Sequence, residues 1–323
     1  MSDAPILIVR DSYLHGNPTR PLDTAWLDAE RVHLGAITGR DVRTQYYDRI
    51  VTDDPMFCHA QFLDLVGALR PAFVWYRPSV LQPLIHRNLR TEVLYTARAL
   101  YGARLVFGCG DLASPSTALY LAAYASIGDL SVAVDGEASR LAELAPGAAT
   151  LDLWPAADGR LFRDLGRERD LDLCVVGETG RTLEQQAMLA GLEGLGLSIA
   201  VAADDESDPV AIDRRVDLLN RAKLSFRLPR AADDGRLNRG LLESILCGAL
   251  PLDRGGGATS RRLAPFRHFV PFGDAADLAA KVRRYLANEP GRRSAVAAAK
   301  AHVGTTLSDR IWWRRLLEAL DRV

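Results

Sequence analysis

Short apolar runs alternate with segments of helical periodicity along most of this chain. The first run, Pro5–Val9, contains no polar residue, which is typical of a strand buried on both faces of a sheet. Similar runs recur at residues 73–76, 104–107 and 131–134, and a segment such as 57–69 between them spaces its apolar residues as a helix does. A second helix is predicted from about residue 84 to residue 101, where Gly102 ends it. This alternation of strand and helix predicts a parallel, doubly wound α/β sheet.

The pattern stops at residues 154–170, a polar stretch interrupted by one proline and two glycines, and then resumes. The second series predicts strands at 171–176, 198–202, 223–226 and 249–252. A chain of 323 residues is also long for a single hydrophobic core. We therefore expect two doubly wound domains, at residues 1–155 and 156–307, followed by an amphipathic helix at 308–323.

Composition places the chain among ordinary globular proteins and limits the classes of partner that it can bind. Hydrophobic residues make up 48% and charged residues 25%, and the net charge of −1 offers no bulk attraction to nucleic acid or to an anionic membrane. The longest membrane-like stretch, residues 118–128, is about half the roughly 20 residues that a spanning helix needs. We expect no nucleic-acid partner and no integral membrane segment, while a peripheral membrane contact stays open.

Cysteine usage indicates a reducing compartment. The four cysteines are scattered without a Cys-x-x-Cys pair, and most lie in apolar runs, so they resemble small buried hydrophobic residues. The chain start lacks the basic region and the apolar length of a signal peptide. Together these features predict a cytoplasmic protein.

Residues 238–252 carry the clearest functional signal. Asn238 can cap a helix by accepting from an early amide, and Gly248 stands where a left-handed residue ends a helix. Open amides at the helix start, together with Arg239 and the small Gly240, would seat a phosphate, and Glu243 could accept from sugar hydroxyls. The alternative is an ordinary amphipathic helix with Glu243 on its solvent face.

The run from Gly240 to Leu252 resembles the hydrophobic-Glu-Ala-x-Ala-Cys-Gly-x-x-hydrophobic signature of GT-B glycosyltransferases of group 1, particularly the bacterial spore-maturation (CgeB-like) branch. The resemblance implies two Rossmann-like domains facing across a cleft, with the acceptor on the first and the nucleotide sugar on the second. It also implies that the terminal helix packs back on the first domain and that Glu243 binds the donor ribose. One departure is Gly235, which stands where many relatives carry a first glutamate.

Further donor contacts follow from the resemblance. Gly177 and Arg181 match a glycine-containing loop followed by a basic residue that contacts the diphosphate, and Arg227 leaves the strand before the key helix. These arginines, with the amides of Gly240 and Leu241, would stabilise a departing nucleoside diphosphate without a metal. The alternatives are a plain strand-to-helix turn and solvated surface arginines.

Two residues of the first domain are candidates for acceptor activation. Asp111 follows a strand in a glycine-rich loop and could deprotonate a hydroxyl, although it could equally cap the next helix. His15, in the first loop, matches the place where several inverting relatives hold a base, although loop histidines are commonly solvated.

The sequence thus predicts a glycosyltransferase of the hexosyltransferase type. It would move a sugar from a nucleoside-diphosphate sugar to a hydroxyl of an unknown acceptor: a glycan, a lipid-linked molecule, a natural product or a protein. The donor is a co-substrate, and neither a cofactor nor a metal is implied. The alternatives are a nucleotide-sugar epimerase of the same fold and an inactive binding or scaffold protein, the latter suggested by Gly235.

Overall fold

The computed structural model describes residues 4–10, 29–47, 55–80, 88–110, 112, 114–134, 137–155, 157–177, 182–202, 209–228 and 237–323. The chain divides into two compact units. The first unit contains Met1–Trp154 together with Trp312–Val323, and the second contains Pro155–Ile311.

The first unit is built on a parallel sheet of six strands in the order β2-β1-β3-β4-β5-β6. These strands are β1 Ile6–Arg10, β2 Val42–Tyr46, β3 Phe73–Tyr76, β4 Leu105–Cys109, β5 Leu130–Val134 and β6 Thr150–Leu153. The helices between them are α1 Ala29–Thr38, α2 Pro55–Leu69, α3 Thr91–Tyr101, α4 Pro115–Ala125 and α5 Ala138–Leu144.

Burial follows the place of each strand in the sheet. Every residue of β1 is buried, because neighbouring strands and helices cover it on all sides. The edge strands β2 and β6 are mostly half-buried and carry polar residues. Their polarity explains why the apolar pattern did not predict them.

One further helix, α12 Asp309–Leu320, continues past the unit boundary, and its tryptophans pack on the first sheet. The rings of Trp312 and Trp313 lie edge-on to Trp75, at centroid distances of 5.8 and 5.5 Å. The indole N–H of Trp312 donates to the carbonyl of Trp154 at 2.8 Å. Aromatic burial of this kind fixes the end of the chain on the first unit.

The second unit contains a parallel sheet of five strands in the order β11-β10-β9-β7-β8. The strands are β7 Leu171–Val176, β8 Ile199–Ala202, β9 Ala222–Arg227, β10 Leu250–Asp253 and β11 Val270–Pro271. The helices are α6 Leu183–Glu193, α7 Pro209–Arg221, α8 Arg239–Cys247, α9 Gly257–Arg262, α10 Ala275–Ala287 and α11 Glu289–His302, followed by a π-helical turn at Val303–Leu307.

Both sheets share one winding pattern. In each, the second strand lies on one side of the first and the third strand lies on the other. The direction of winding therefore reverses between β1 and β3, and again between β7 and β9. The predicted α/β fold with two doubly wound parallel sheets is confirmed, and ligands of such sheets bind beyond the carboxyl ends of the strands at this reversal.

The structure corrects the start of one predicted helix. The helix predicted from about residue 84 to residue 101 begins at Thr91, and Gly102 ends it in the left-handed conformation (φ 66°). Residues 81–87 lie outside the described part of the chain.

Among the described helices, none is long and apolar enough to cross a bilayer.

All four cysteines are buried and form no disulfide, as their apolar surroundings predicted. Burial raises the pKa of Cys109 to about 12 and, despite the nearby Arg215, that of Cys174 to about 12. Burial also raises the pKa of Cys247. The thiolate form that reacts with electrophiles is therefore scarce at neutral pH.

Arg169 ties together the ends of two helices in the second unit. Its guanidinium donates to the carbonyls of Leu219 and Ala222, near the end of α7, and to the carbonyl of Cys247 at the end of α8. Gly248 follows α8 with φ 82°, and a Cβ added there would lie 2.4 Å from an Arg169 nitrogen. The close approach of Arg169 thus requires a glycine.

We expect Gly248→Ala to destabilise the second unit more than Gly196→Ala does. Both glycines have positive φ, but a Cβ at Gly196 meets nothing within 4 Å. The left-handed conformation costs alanine about 1–2 kcal/mol at either site, and only Gly248→Ala also displaces Arg169. Urea unfolding followed by circular dichroism measures both losses, and equal losses would contradict the proposed role of Arg169.

Candidate functional site

The reversal point of the second sheet brings together two of the predicted donor residues. β7 and β9 pair in parallel, with Val176 opposite Arg227, and the amide of Leu228 donates to the carbonyl of Val176 at 3.1 Å. Gly177 follows β7 with φ 126°, and a Cβ there would lie 3.5 Å from that of Leu228. Gly177 therefore lets the chain turn away directly beside Arg227.

Asn238 organises the start of α8. Its side-chain oxygen accepts from the amide of Gly240 at 2.9 Å, so the predicted helix cap is confirmed. The same oxygen accepts from Nη1 of Arg227 at 2.6 Å. One amide side chain thus joins the end of β9 to the start of the helix.

The amides at this helix start are engaged within the protein. Gly240 N–H donates to the Asn238 side chain, and Leu241 N–H donates to the Asn238 carbonyl at 3.0 Å. The expectation of open amides differs from this arrangement, because the capping residue itself takes up both donors. The positive end of the helix and the guanidinium groups of Arg227 and Arg239 still make this end attractive to an anion.

Glu243 lies on the inner face of α8. Only 2% of the residue is exposed, so the alternative that placed it on the solvent face is wrong. Its Oε1 lies 3.1 Å from Nε of Arg239, one turn earlier, and its Oε2 lies 3.3 Å from Nε of Arg215. A cation therefore faces each oxygen of the carboxylate.

Arg215 is the residue of this group that the sequence analysis missed. It lies in α7, its side chain has no exposed surface, and its guanidinium carbon lies 5.4 Å from the centroid of the Phe162 ring. A signal was present, because Arg215 follows Ile212 by three positions and precedes Leu219 by four, so it falls on the apolar face of its helix.

The reversal point of the first sheet carries a second charged group, which the sequence analysis also missed. Glu30, in the first turn of α1, contacts Arg10 at the end of β1 (2.9 Å) and Arg77 just after β3 (3.1 Å). Burial alone would raise the pKa of Glu30, but the two guanidinium groups outweigh it and lower the pKa. The carboxylate therefore stays ionised at neutral pH and is a weak proton acceptor.

Three predicted residues lie outside the described part of the chain: His15, Asp111 and Arg181. The remaining predicted residues all lie where β7, β9 and the start of α8 meet or along α8 itself. These are Gly177, Arg227, Asn238, Arg239, Gly240, Leu241 and Glu243.

Comparison with known protein families gives a match over the second half of the chain. Residues 160–318 match the family described as Glycosyl transferase-like, a range that contains all the described candidate residues above. The match spans 159 of the 323 residues of the chain. This match classes residues 160–318 with the glycosyltransferases, whereas no curated protein sequence matches the chain significantly.

Solved structures extend this likeness to the fold of the whole chain. HepE of Anabaena, in complex with UDP-glucose, matches with a TM-score of 0.66 at 14% identity, covering 99% of this chain and 100% of HepE. Sucrose-phosphate synthase of Thermosynechococcus elongatus matches with a TM-score of 0.62 at 13% identity, covering 99% of each chain. An α-glucosyltransferase in complex with UDP-glucose and DNA gives 0.63 at 11% identity, covering 98% of this chain and 99% of the other. The fold of the chain thus matches that of GT-B glycosyltransferase structures.

We expect Glu30→Gln to destabilise the first unit by about 2 kcal/mol at pH 7, since a hydrogen bond to a charged group contributes roughly 1.5–3 kcal/mol. The folded-state pKa of Glu30 is lowered, so its stabilisation is present above the unfolded-state pKa and is lost as pH falls through the folded-state value. The difference between wild type and variant therefore shrinks below about pH 4, near the usual glutamate pKa.

All five tryptophans lie in the first unit, so their fluorescence during urea unfolding reports this unit alone. Glu143→Gln, at an exposed position of α5, serves as the matched control. A difference between wild type and Glu30→Gln that stays constant from pH 7 to pH 3 would contradict the ion-pair assignment.

Proposed function

We propose that this protein transfers a sugar from a nucleoside-diphosphate sugar to an acceptor hydroxyl. The observation that carries the proposal is the gathering of Arg227, Asn238, Arg239 and Glu243 around the start of α8, beyond the reversal point of the second sheet. This is the place where doubly wound sheets bind nucleotides. The glycosyltransferase family match over the same residues supports the assignment.

The cationic groups of the site stabilise the departing nucleoside diphosphate. As the bond from the sugar to the diphosphate breaks, negative charge grows on the diphosphate oxygens. Arg227 and Arg239, with the positive end of α8, stabilise that charge, and Arg181, which follows β7 in the sequence, is a further candidate for this role. Because arginines supply this charge, the proposed transfer needs no metal and no cofactor.

The carboxylate of Glu243 binds the nucleoside part of the donor. Ribose hydroxyls donate to it, and an ionised acceptor gives the stronger hydrogen bond. HepE and the α-glucosyltransferase were solved with UDP-glucose, so a uridine nucleotide with a hexose is the first donor to test.

The first domain, residues 1–155, supplies the acceptor side of this proposal. His15 and Asp111 are the candidates for removing the proton from the acceptor hydroxyl, which belongs to a glycan, lipid-linked, natural-product or protein molecule. Residues 156–307 bind the donor, and the run from Gly240 to Leu252 favours the spore-maturation branch of bacterial enzymes. The scattered, buried cysteines favour a cytoplasmic location.

Calorimetry with UDP, GDP, dTDP, ADP and CMP tests the donor class. We expect one diphosphate to bind selectively and Glu243→Gln to weaken it by about 10- to 100-fold, because a hydrogen bond to a charged group is lost. Glutamine keeps the shape of the side chain beside the buried Arg215, which alanine would leave facing a cavity. Absence of binding by all five nucleotides would overturn the proposed transferase function.

Arg227 is expected to act on the diphosphate specifically. Arg227→Gln should weaken UDP about tenfold or more by removing a charge-assisted contact, while uridine binding, measured by the same calorimetry, changes little. Arg261→Gln, at an exposed site in the same unit, is the matched control. A thermal melt excludes unfolding of the variant, and equal weakening of UDP and uridine would refute the assignment to the diphosphate.

A further inference from the structure

A carboxylate that recognises a ribose must meet two physical requirements. Its oxygen must lie at a fixed position, because a freely rotating side chain loses conformational entropy on binding. It must also remain charged in a largely buried place, where an isolated carboxylate is strongly destabilised. Glu243 is 2% exposed, so both requirements apply to it.

The contact with Arg215 satisfies both requirements for Glu243. The Nε atom of Arg215 faces Oε2 of Glu243 at 3.3 Å and supplies the compensating charge. The arginine is itself held, because it is fully buried, its guanidinium lies over the Phe162 ring at 5.4 Å, and it lies close enough to the thiol of Cys174 in β7 to lower that pKa against the larger effect of burial. Arg215 therefore contacts Glu243 and Phe162 and lies near a third part of the second unit, strand β7.

The two arginines beside Glu243 differ in exposure. The side chain of Arg215 has 0% exposure, whereas that of Arg239 has 28% and contacts the other oxygen, Oε1. A ligand arriving from solvent reaches the Arg239 side of the carboxylate first. Oε2 is therefore the anchored oxygen and Oε1 the oxygen that a ligand can reach.

We infer that Arg215 is a positioning residue for donor recognition, which holds Oε2 of Glu243 so that Oε1 accepts from the ribose hydroxyls. The inference rests on the proposed function. On binding, a hydroxyl takes the place beside Oε1 that Arg239 occupies, and Arg239 turns to the diphosphate. Arg215 touches no part of the donor.

A purely structural ion pair is the competing explanation. Replacing a buried ion pair by uncharged residues of similar size is often neutral for stability, so the fold alone gives little reason for this pair. A structural role would weaken every ligand of the site equally. A positioning role would weaken only ligands that carry ribose hydroxyls.

The test compares the affinities of UDP and 2′,3′-dideoxy-UDP, or of whichever diphosphate the wild type binds and its dideoxy counterpart. We expect the wild type to prefer the hydroxylated ligand about tenfold or more, as a hydrogen bond to a charged group implies. Arg215→Met should lower this preference to below about threefold, with dideoxy-UDP binding nearly unchanged. Arg214→Met, at the exposed neighbouring position of α7, should retain the wild-type preference.

Arg215→Lys keeps the inference testable if Arg215→Met does not fold. Lysine keeps the charge but lacks the planar fork of the guanidinium, so a folded protein with a reduced preference is expected. A wild-type preference in a folded Arg215→Met or Arg215→Lys protein, or equal weakening of both ligands, would overturn the inference. A wild type that binds UDP and 2′,3′-dideoxy-UDP equally well would also overturn the inference about Arg215, but it would leave the transferase proposal standing. A wild type that binds no diphosphate would overturn the transferase proposal.

Discussion

The pairing of β7 with β9 is the constraint on which the candidate site depends. These strands are neighbours in space but not in sequence, because β8 lies on the far side of β7. Their parallel register places the residues that follow Val176 and Arg227 side by side at one edge of the sheet. The chain that leaves β9 then returns as α8, whose capping residue is bonded to Arg227. Helix, cap and glycine turn meet because the sheet reverses its winding there.

Most of the fold could be predicted from the hydrophobic pattern, since the interior strands of a parallel sheet are buried on both faces and appear as apolar runs. The pattern failed at β2 and β6, whose sequences are polar because each pairs on one side only. It also placed the start of α3 too early. Local signals of cap and turn, at Asn238, Gly248 and Gly102, predicted the conformations that the structure shows.

The site was harder to predict than the fold. The sequence singled out Glu243 but not the environment that burial imposes on it, because the partner Arg215 comes from a different helix. Spacing could indicate only that Arg215 lies on the apolar face of its own helix. The Arg10, Glu30 and Arg77 group was missed for the same reason, since its three members come from three separate elements. Pairings across elements are set by tertiary packing, which periodicity does not encode.

The buried cysteines have a practical consequence for studying this two-unit protein. All four thiols are enclosed, and burial holds the pKa values of Cys109, Cys174 and Cys247 far above neutral. Maleimide and iodoacetamide reagents need an accessible thiolate, so the native cysteines are poor targets for them. A cysteine introduced at an exposed position would be labelled first. Fluorophores or spin labels can thus be attached to each unit in the natural background, without first removing the chain's own thiols.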